Sequence, residues 1–425
     1  MSEPATSQVR PGAAWWALFL LFMANAFNVG DRALLGVVTE PVRLELGLSD
    51  TQISLTNGFL FVLFNLVGGL FIARFVDRGN RKRILAFGIA GWSLATAATG
   101  LAQDFFTLSL ARIAVGIGEA TVFPAALSLI PDLFRPQVRG RAVAIFQSGV
   151  FVGVVGGTIL AGVLAAMLGW RAMFMVCGAA GVVLALVLWL TVREPARQGR
   201  DGALPVAQSY WADLLSGCRR VFATPGFPAL AIGFGTSAMI GSVLAAWAPA
   251  FFQRTHDVPL AEVGLVIGPA VGIGGITGTL LSGFLADRLF RRRRVAADML
   301  LVPLWTLPFA TPFVAGFVAA PTVALTMLSA GAMNFLLSCA AAPCLSFAVA
   351  RSSPDDRGLT STIMLAAMGL IGGALGPFVV GVLSDLLRPR LGEEALRYAL
   401  ASMVAVPLIA TGFLALARTK ALRTA

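Results

Sequence analysis

Six polar side chains in two apolar stretches of this chain have types and spacings suited to joint ionic chemistry. The first stretch, residues 15–38, carries Asp31 and Arg32 side by side, with Asn25 and Asn28 upstream. The second, residues 105–128, carries Arg112 and Glu119. At helical spacing Asn25, Asn28 and Arg32 share a face with Asp31 beside it, and Arg112 and Glu119 share another. An ionisable residue inside a hydrophobic span is costly and by default marks a functional position. Two acids and two arginines form a neutral set. A proton on Asp31 or Glu119 makes the set net positive and releases an arginine, whose planar fork suits a phosphate or a carboxylate. Proton and anion would then compete through shared arginines. Asp31 and Glu119 are therefore the candidates for proton coupling, Asp31 slightly ahead. Arg32 and Arg112 are the candidates for binding an anionic headgroup or switching ion pairs, and a permanent structural ion-pair network is the plain alternative. At ~1.5 Å rise per residue, Asp31 and Arg112 each lie roughly 10 Å, and Glu119 roughly 20 Å, from the outer end of their spans. The four meet only if the two spans face each other.

The elements that must position these residues follow from composition. Of 425 residues, 57% are hydrophobic and 12% charged, and the mean hydropathy is +0.84. Soluble domains average about 45–50% apolar and about 25% charged, so the chain reads as an integral membrane protein without a large water-soluble domain. Runs of about 20 apolar residues give twelve candidate spans, at 15–38, 51–73, 84–102, 105–128, 142–165, 172–192, 226–252, 262–285, 296–318, 321–348, 358–384 and 395–417. With both termini in the cytoplasm, 24 Lys and Arg fall in inner segments and six in outer ones, as the positive-inside rule requires. The net charge of +11 is explained by those inner clusters, and no nucleic-acid partner is expected. The four cysteines read as small apolar side chains rather than a disulfide framework. The only histidine, His256, is expected in a solvated outer loop. No metal site and no cofactor are expected. Residues 193–225 divide the chain, opening polar and turning amphipathic at Trp211, Leu214, Leu215, Cys218 and Phe222, as in a helix on the inner leaflet or an ordinary linker helix. The expected domains are therefore an N-terminal six-helix bundle at 1–195, a cytoplasmic linker at 196–225 and a C-terminal six-helix bundle at 226–425.

The two halves repeat. Ala73, Asp77, Arg78 and Arg81 follow the second span, and Gly283, Asp287, Arg288 and Arg291 follow the eighth, with Asp77 and Asp287 210 residues apart. Corresponding motifs in corresponding places imply two parallel six-span repeats. Twelve spans with this Asp-Arg motif in both inner loops resemble the major facilitator superfamily, although Phe290 replaces the usual glycine in the second copy and Gly79 comes one residue early in the first. The resemblance implies an all-α fold of two six-helix bundles, and it makes Asp77, Arg78, Arg81, Asp287, Arg288 and Arg291 a gating loop motif. A narrower likeness is to spinster-like transporters. It rests on Asn28, Asp31 and Arg32; on Gly47 to Gln52; on Ala73 to Arg81; on Ala111, Arg112, Gly116, Gly118, Glu119 and Ala120; and on Asp132 and Phe134. It covers most of the first half, whereas the second half matches only at superfamily level. Anion-cation symporters that move sugar acids share the Asp-Arg and Gly-Glu-Ala signatures and are the competing family.

The likeness to spinster relatives implies a secondary active transporter that moves an anionic or zwitterionic amphiphilic lipid, lysophospholipid or sphingosine 1-phosphate in type, by alternating access, and the acids and arginines within the spans point to coupling to protons. The alternative is a proton-coupled organic-anion symporter. A membrane-embedded lipid enzyme is remote, for the chain lacks an evident nucleophile–base pair or metal ligands. The second half holds no charge deep in its spans but offers Trp247, Trp305, Phe309, Met333 and Asn334. These, with Asn25 and Asn28, are expected to line the cavity, the headgroup on the first half and an acyl tail on the second. Glycines at 149, 153, 156, 157 and 162, and again at 369, 372, 373, 376 and 381, permit close helix crossing. The expected partners are the lipid substrate, protons and the bilayer. The expected state is a monomer in a bacterial inner membrane.

Overall fold

The computed structural model describes residues 11–196, 210–293, 295–353 and 356–423, without the side chains of 11, 77, 78, 136, 210–213 and 293. Among the described residues the secondary structure is helical throughout. The helices are α1 (Pro11–Val37), α2 (Thr39–Leu46), α3 (Asp50–Ser54), α4 (Phe61–Arg78), α5 (Arg81–Thr99), α6 (Phe105–Glu119), α7 (Val122–Leu133) and α8 (Pro136–Thr191). They continue with α9 (Tyr210–Ala223), α10 (Phe227–His256), α11 (Leu260–Arg293), α12 (Leu301–Ala319), α13 (Val323–Ser338), α14 (Ala341–Ala350), α15 (Arg357–Ala367), α16 (Gly376–Leu391), α17 (Ala395–Ala401) and α18 (Val406–Leu422).

Capping chemistry sets several starts. Ser49 and Gln52 form a capping box at α3, Asp104 and Thr107 form one at α6, and the Asn80 side chain accepts from Arg83 N at α5. Each satisfies amides that the first helical turn leaves open. Gly169, at φ 79°, interrupts α8, a conformation open to glycine at little cost. Gly392, at φ 57°, ends α16. Two π-helical turns, Leu55–Leu60 and Met368–Leu375, pack on each other, and a β-carbon on Gly58 would lie 3.3 Å from the Gly373 carbonyl.

Among the described residues, nine helical stretches are long and apolar enough to cross a bilayer. Two of them, Gln137–Thr191 and Arg357–Leu422, span 55 and 66 residues, and these are the stretches that Gly169 and Gly392 interrupt. α5, which opens on Arg81, Lys82 and Arg83, falls outside the nine.

The chain divides into two compact units, one of Met1–Leu35 with Leu63–Leu204 and one of Gly36–Val62 with Pro205–Ala425. This differs from the division at 195 and 226 expected from sequence, because residues 36–62 leave the first half and pack with the second. Gly36 lies so close to the Ala245 carbonyl that a β-carbon would come within 2.4 Å of it. In the other unit α1 and α8 approach through glycines, and a β-carbon on Gly157 would stand 2.6 Å from the Gly30 Cα.

Candidate functional site

The glycines beside the charged residues explain how α1 and α6 present them. Gly30, before Asp31, nests against Gly153 and Gly157 of α8, and Gly118, before Glu119, nests against Trp92 of α5. Seating each helix by its glycine turns the following charged residue inward. Asp31 is 6% exposed, Arg112 is fully buried and Glu119 is 1% exposed, whereas Arg32 stands exposed.

The four charges form two crossed pairs inside one unit. Arg112 Nη1 reaches Asp31 Oδ2 at 3.4 Å, and Thr96 Oγ1 donates to Asp31 Oδ1 at 2.9 Å. Arg32 Nε donates to Glu119 Oε2 at 2.8 Å, and its Nη2 reaches Asn28 Oδ1 at 3.3 Å. Asn28 Nδ2 in turn donates to the Glu119 carbonyl at 3.1 Å, and Asn25 Nδ2 donates to the Phe146 carbonyl at 2.8 Å. The two acids differ in one respect. Both Asp31 oxygens accept a donor, while Glu119 Oε1 is buried without a hydrogen-bond partner. A carboxylate oxygen in that position is costly while charged and becomes a donor when protonated. The arrangement can therefore exchange a proton on Glu119 against the hold on Arg32, whose exposed guanidinium is suited to an anion.

The family model for the Major Facilitator Superfamily matches residues 21–377. The chain belongs to that superfamily. It is a spinster-like, multi-pass integral membrane protein and a transporter rather than an enzyme. It is 33% identical to an MFS-type efflux pump of Mycolicibacterium smegmatis over 93% of this chain and 90% of that protein. It is 29% identical to human protein spinster homolog 1 over 89% of this chain and 74% of that one, and 31% identical to a probable L-galactonate transporter of Escherichia coli over 65% and 62%. Its fold matches crystal structures of a bacterial homolog of the human lysosomal transporter Spinster, inward-facing and unoccupied, with a TM-score of 0.84 at 28% identity, over 97% of this chain and 98% of that one. The occupied form of that homolog gives a TM-score of 0.85 at the same identity, over 98% of each chain.

The first Asp-Arg loop of this superfamily member is a clamp within its own unit. Arg81, 1% exposed, donates from Nε to Glu194 at 2.7 Å, from Nη1 to the Ser128 carbonyl at 2.9 Å and to Asp132, and from Nη2 to the Pro195 carbonyl at 2.9 Å. Burial works against its charge, but Asp132 and Glu194 outweigh it and hold the guanidinium above its ordinary range. The partners of Arg81 are the part that spacing does not announce. The side chains of Asp77 and Arg78 lie outside the described residues. In the second loop Asp287, Arg288 and Arg291 are exposed and, among the described residues, join no ion pair.

The second-half candidates for a tail cavity divide into buried and exposed side chains. Trp247 and Met333 are each 1% exposed and committed to packing, with Trp247 Nε1 donating to the Pro377 carbonyl at 3.0 Å. Asn334 is buried and donates to the Val271 carbonyl at 2.5 Å. Trp305 and Phe309 stand 68% and 61% exposed on α12. His256 departs from expectation, ending α10 rather than lying in a loop, with Nε2 3.2 Å from Thr326 Oγ1.

Sequence reasoning missed a second ionic cluster, in the other unit. Arg254 grips Asp50 with two bonds of 2.9 Å and Glu40 with one of 2.6 Å. Arg43 Nη2 donates to Glu40 at 2.6 Å, Ser384 Oγ donates to Asp50 at 2.6 Å, and Asp385 accepts from the Asp50 and Thr51 amides at 3.0 and 2.8 Å. Together they hold residues 39–54 against α10 and α16. The signal was the acids themselves, for Glu40 and Asp50 flank Arg43 near span ends, where the positive-inside tally counts only basic residues. Among the described residues no group of three or more His, Cys, Asp or Glu is placed to hold a metal.

Proposed function

We propose that this transporter moves an amphiphilic anion, lysophospholipid or sphingosine 1-phosphate in type, by alternating access coupled to protons. The observation that carries the reading is the Arg32–Glu119 pair: an exposed arginine held at 2.8 Å by an acid whose other oxygen is buried and unmet. Protonating Glu119 loosens Arg32 for a phosphate or carboxylate headgroup, so loading the proton favours loading the anion. Glu119 therefore replaces Asp31 as the first coupling residue. Asp31, already taking Thr96 and Arg112, serves to hold Arg112. Asn25 and Asn28 position α1 beside the site. The kinship with spinster homologs supports a lipid cargo.

The proposed topology is twelve spans with both termini cytoplasmic, in a bacterial inner membrane, with the protein acting as a monomer. The nine apolar stretches become twelve when Gly169 and Gly392 each divide one and α5 is counted. The likeness to the probable L-galactonate transporter over 65% of the chain favours a second reading, a proton-coupled symporter of a small organic acid.

Substrate-driven proton flux in proteoliposomes tests both. Flux with a lysophospholipid or sphingosine 1-phosphate that Glu119→Gln abolishes, and none with galactonate, supports the lipid reading. Flux with galactonate alone moves the assignment to organic acids. Lipid movement without proton flux refutes the coupling and leaves the ionic cluster a structural network.

A further inference from the structure

Between α4 and α5, beside the first Asp-Arg loop, lies a groove of about 890 Å3 lined by Phe71, Arg74, Phe75, Asn80, Arg83 and Phe87 among others. Small-molecule pockets run about 300–1,000 Å3. The Asn80 side chain is already committed, accepting from Arg83 N at 2.9 Å to start α5. The groups left to meet a ligand are the two guanidiniums. Arg74 and Arg83 are both exposed, and Arg83 joins no ion pair among the described residues. No acid stands among the described residues of the wall. Residues 74–83 carry five basic side chains and one acid, Asp77. Arg81 is turned away to Asp132 and Glu194, and with Asp77 set against Arg78 the loop still keeps an excess of positive charge. The phenylalanines form a second layer. Phe71 lies three residues before Arg74 and Phe87 four after Arg83, so at ~1.5 Å per residue each ring is anchored roughly 5 Å deeper in its span than its arginine. Phe71, Phe75 and Phe87 are 53%, 66% and 64% exposed, and Phe87 rests on Trp189 of α8 with 5.8 Å between ring centroids.

We propose that this groove binds an anionic diacyl phospholipid of the surrounding bilayer, its phosphate at Arg74 and Arg83 and an acyl chain along Phe71, Phe75 and Phe87. A guanidinium fork fits phosphate oxygens, whereas a cationic head would meet two like charges. The layering selects a lipid over a free phosphate. Charge at the helix ends with apolar rings a turn deeper is the order in which a membrane lipid presents head and chain. A soluble anion would use the arginines and leave the rings idle. Basic pockets between spans at the cytoplasmic side hold anionic headgroups, and the proposed topology puts this end of α4 and α5 there. None of Asp31, Arg32, Arg112 and Glu119 is in the wall, so the site is separate from the proposed cargo site. Lodged there, the lipid ties the loop assigned to gating to its leaflet.

The test uses the full chain in phosphatidylcholine nanodiscs doped with phosphatidylglycerol or phosphatidylcholine carrying a photoreactive diazirine in the acyl chain. The readout is crosslinking to the peptides that hold residues 71–87, resolved by mass spectrometry. Nanodiscs offer lipid on both faces, so the result does not depend on the topology or on the cargo. The phosphatidylglycerol probe is expected to label these peptides about tenfold more than the phosphatidylcholine probe. Arg74→Gln with Arg83→Gln brings the two probes level, while Arg219→Gln, an exposed arginine of α9, leaves the difference in place. Should the double variant fail to fold, Arg83→Gln alone lowers the difference about threefold. Phe75→Ala weakens labelling by both probes. Equal labelling of the native chain by the two probes overturns the charge assignment. An equal loss with Arg219→Gln shows diffuse attraction and overturns the site. Displacement of the probe by glycerol 3-phosphate or inorganic phosphate overturns the lipid as occupant.

Discussion

Asp31 and Glu119 are both buried acids paired with an arginine, yet neutralising them has different consequences because their arginines differ in exposure. Asp31→Asn weakens the hold on Arg112, which is fully buried, and breaking one side of a buried pair costs roughly 3–5 kcal/mol. Glu119→Gln frees Arg32, whose side chain is 43% exposed and so has solvent to turn to. Thermal melting of the purified variants should show a large loss for Asp31→Asn and a small one for Glu119→Gln, and equal losses would contradict the division of roles. A second residue-scale expectation concerns Glu40 in α2. Burial works against its charge, but the hydrogen bond from Arg43 and the charges of Arg254 and Arg43 outweigh burial and hold its carboxyl below the ordinary 4.5. A carboxyl depressed by folding stabilises the fold above its unfolded value and loses that contribution as pH falls through the folded one. The melting-temperature gap between the native chain and Glu40→Gln should stay constant from pH 7 to 5.5 and close below about 4.5. A gap that closes already near pH 6 would show Glu40 titrating in the working range.

At the scale of elements, α1 is seated by close glycine contacts, and neighbouring glycines of α8 should respond in opposite ways. A methyl on Gly157 would stand 2.6 Å from the Gly30 Cα, while one on Gly156 would touch nothing within 4 Å. Gly157→Ala is expected to cost about 1–3 kcal/mol by overpacking, and Gly156→Ala to be neutral or to gain up to about 1 kcal/mol from helix propensity. Melting temperatures of the two variants check this, and a matching loss at both would mean the glycines serve flexibility rather than packing. The sequence made this contact readable as a spacing of small residues, and it made the charges in α1 and α6 readable because polarity stands out in an apolar run. It did not reveal that Trp305 and Phe309 lie exposed while Trp247 is buried. In a membrane protein lipid is as apolar as the interior, so hydrophobicity does not sort the two. Nor did it pair Arg81 with Glu194 or Arg254 with Asp50, since helical periodicity reports which face a residue is on and says nothing about which distant element meets that face.

For the whole molecule, the proposed topology predicts where appended reporters work. A fluorescent protein fused after Ala425 should mature and alkaline phosphatase at the same point should stay inactive, with the reverse after Gly392. An active phosphatase at the C-terminus would break the twelve-span proposal. The fold class was legible as a whole because charge clusters and apolar runs alternate along the chain. The division into units was not, since residues 36–62 belong by order to one half and by packing to the other.

That packing has a consequence for how the protein is made. Asp50 and Asp385 are 335 residues apart, and Arg254 follows Asp50 by 204. At about 5–20 residues per second a ribosome needs roughly 15–70 s to deliver Asp385 after Asp50 has emerged. Through that interval Asp50 must stay solvated or shielded at the translocation machinery, so residues 39–54 reach their final seats on α10 and α16 only after most of the chain has been made.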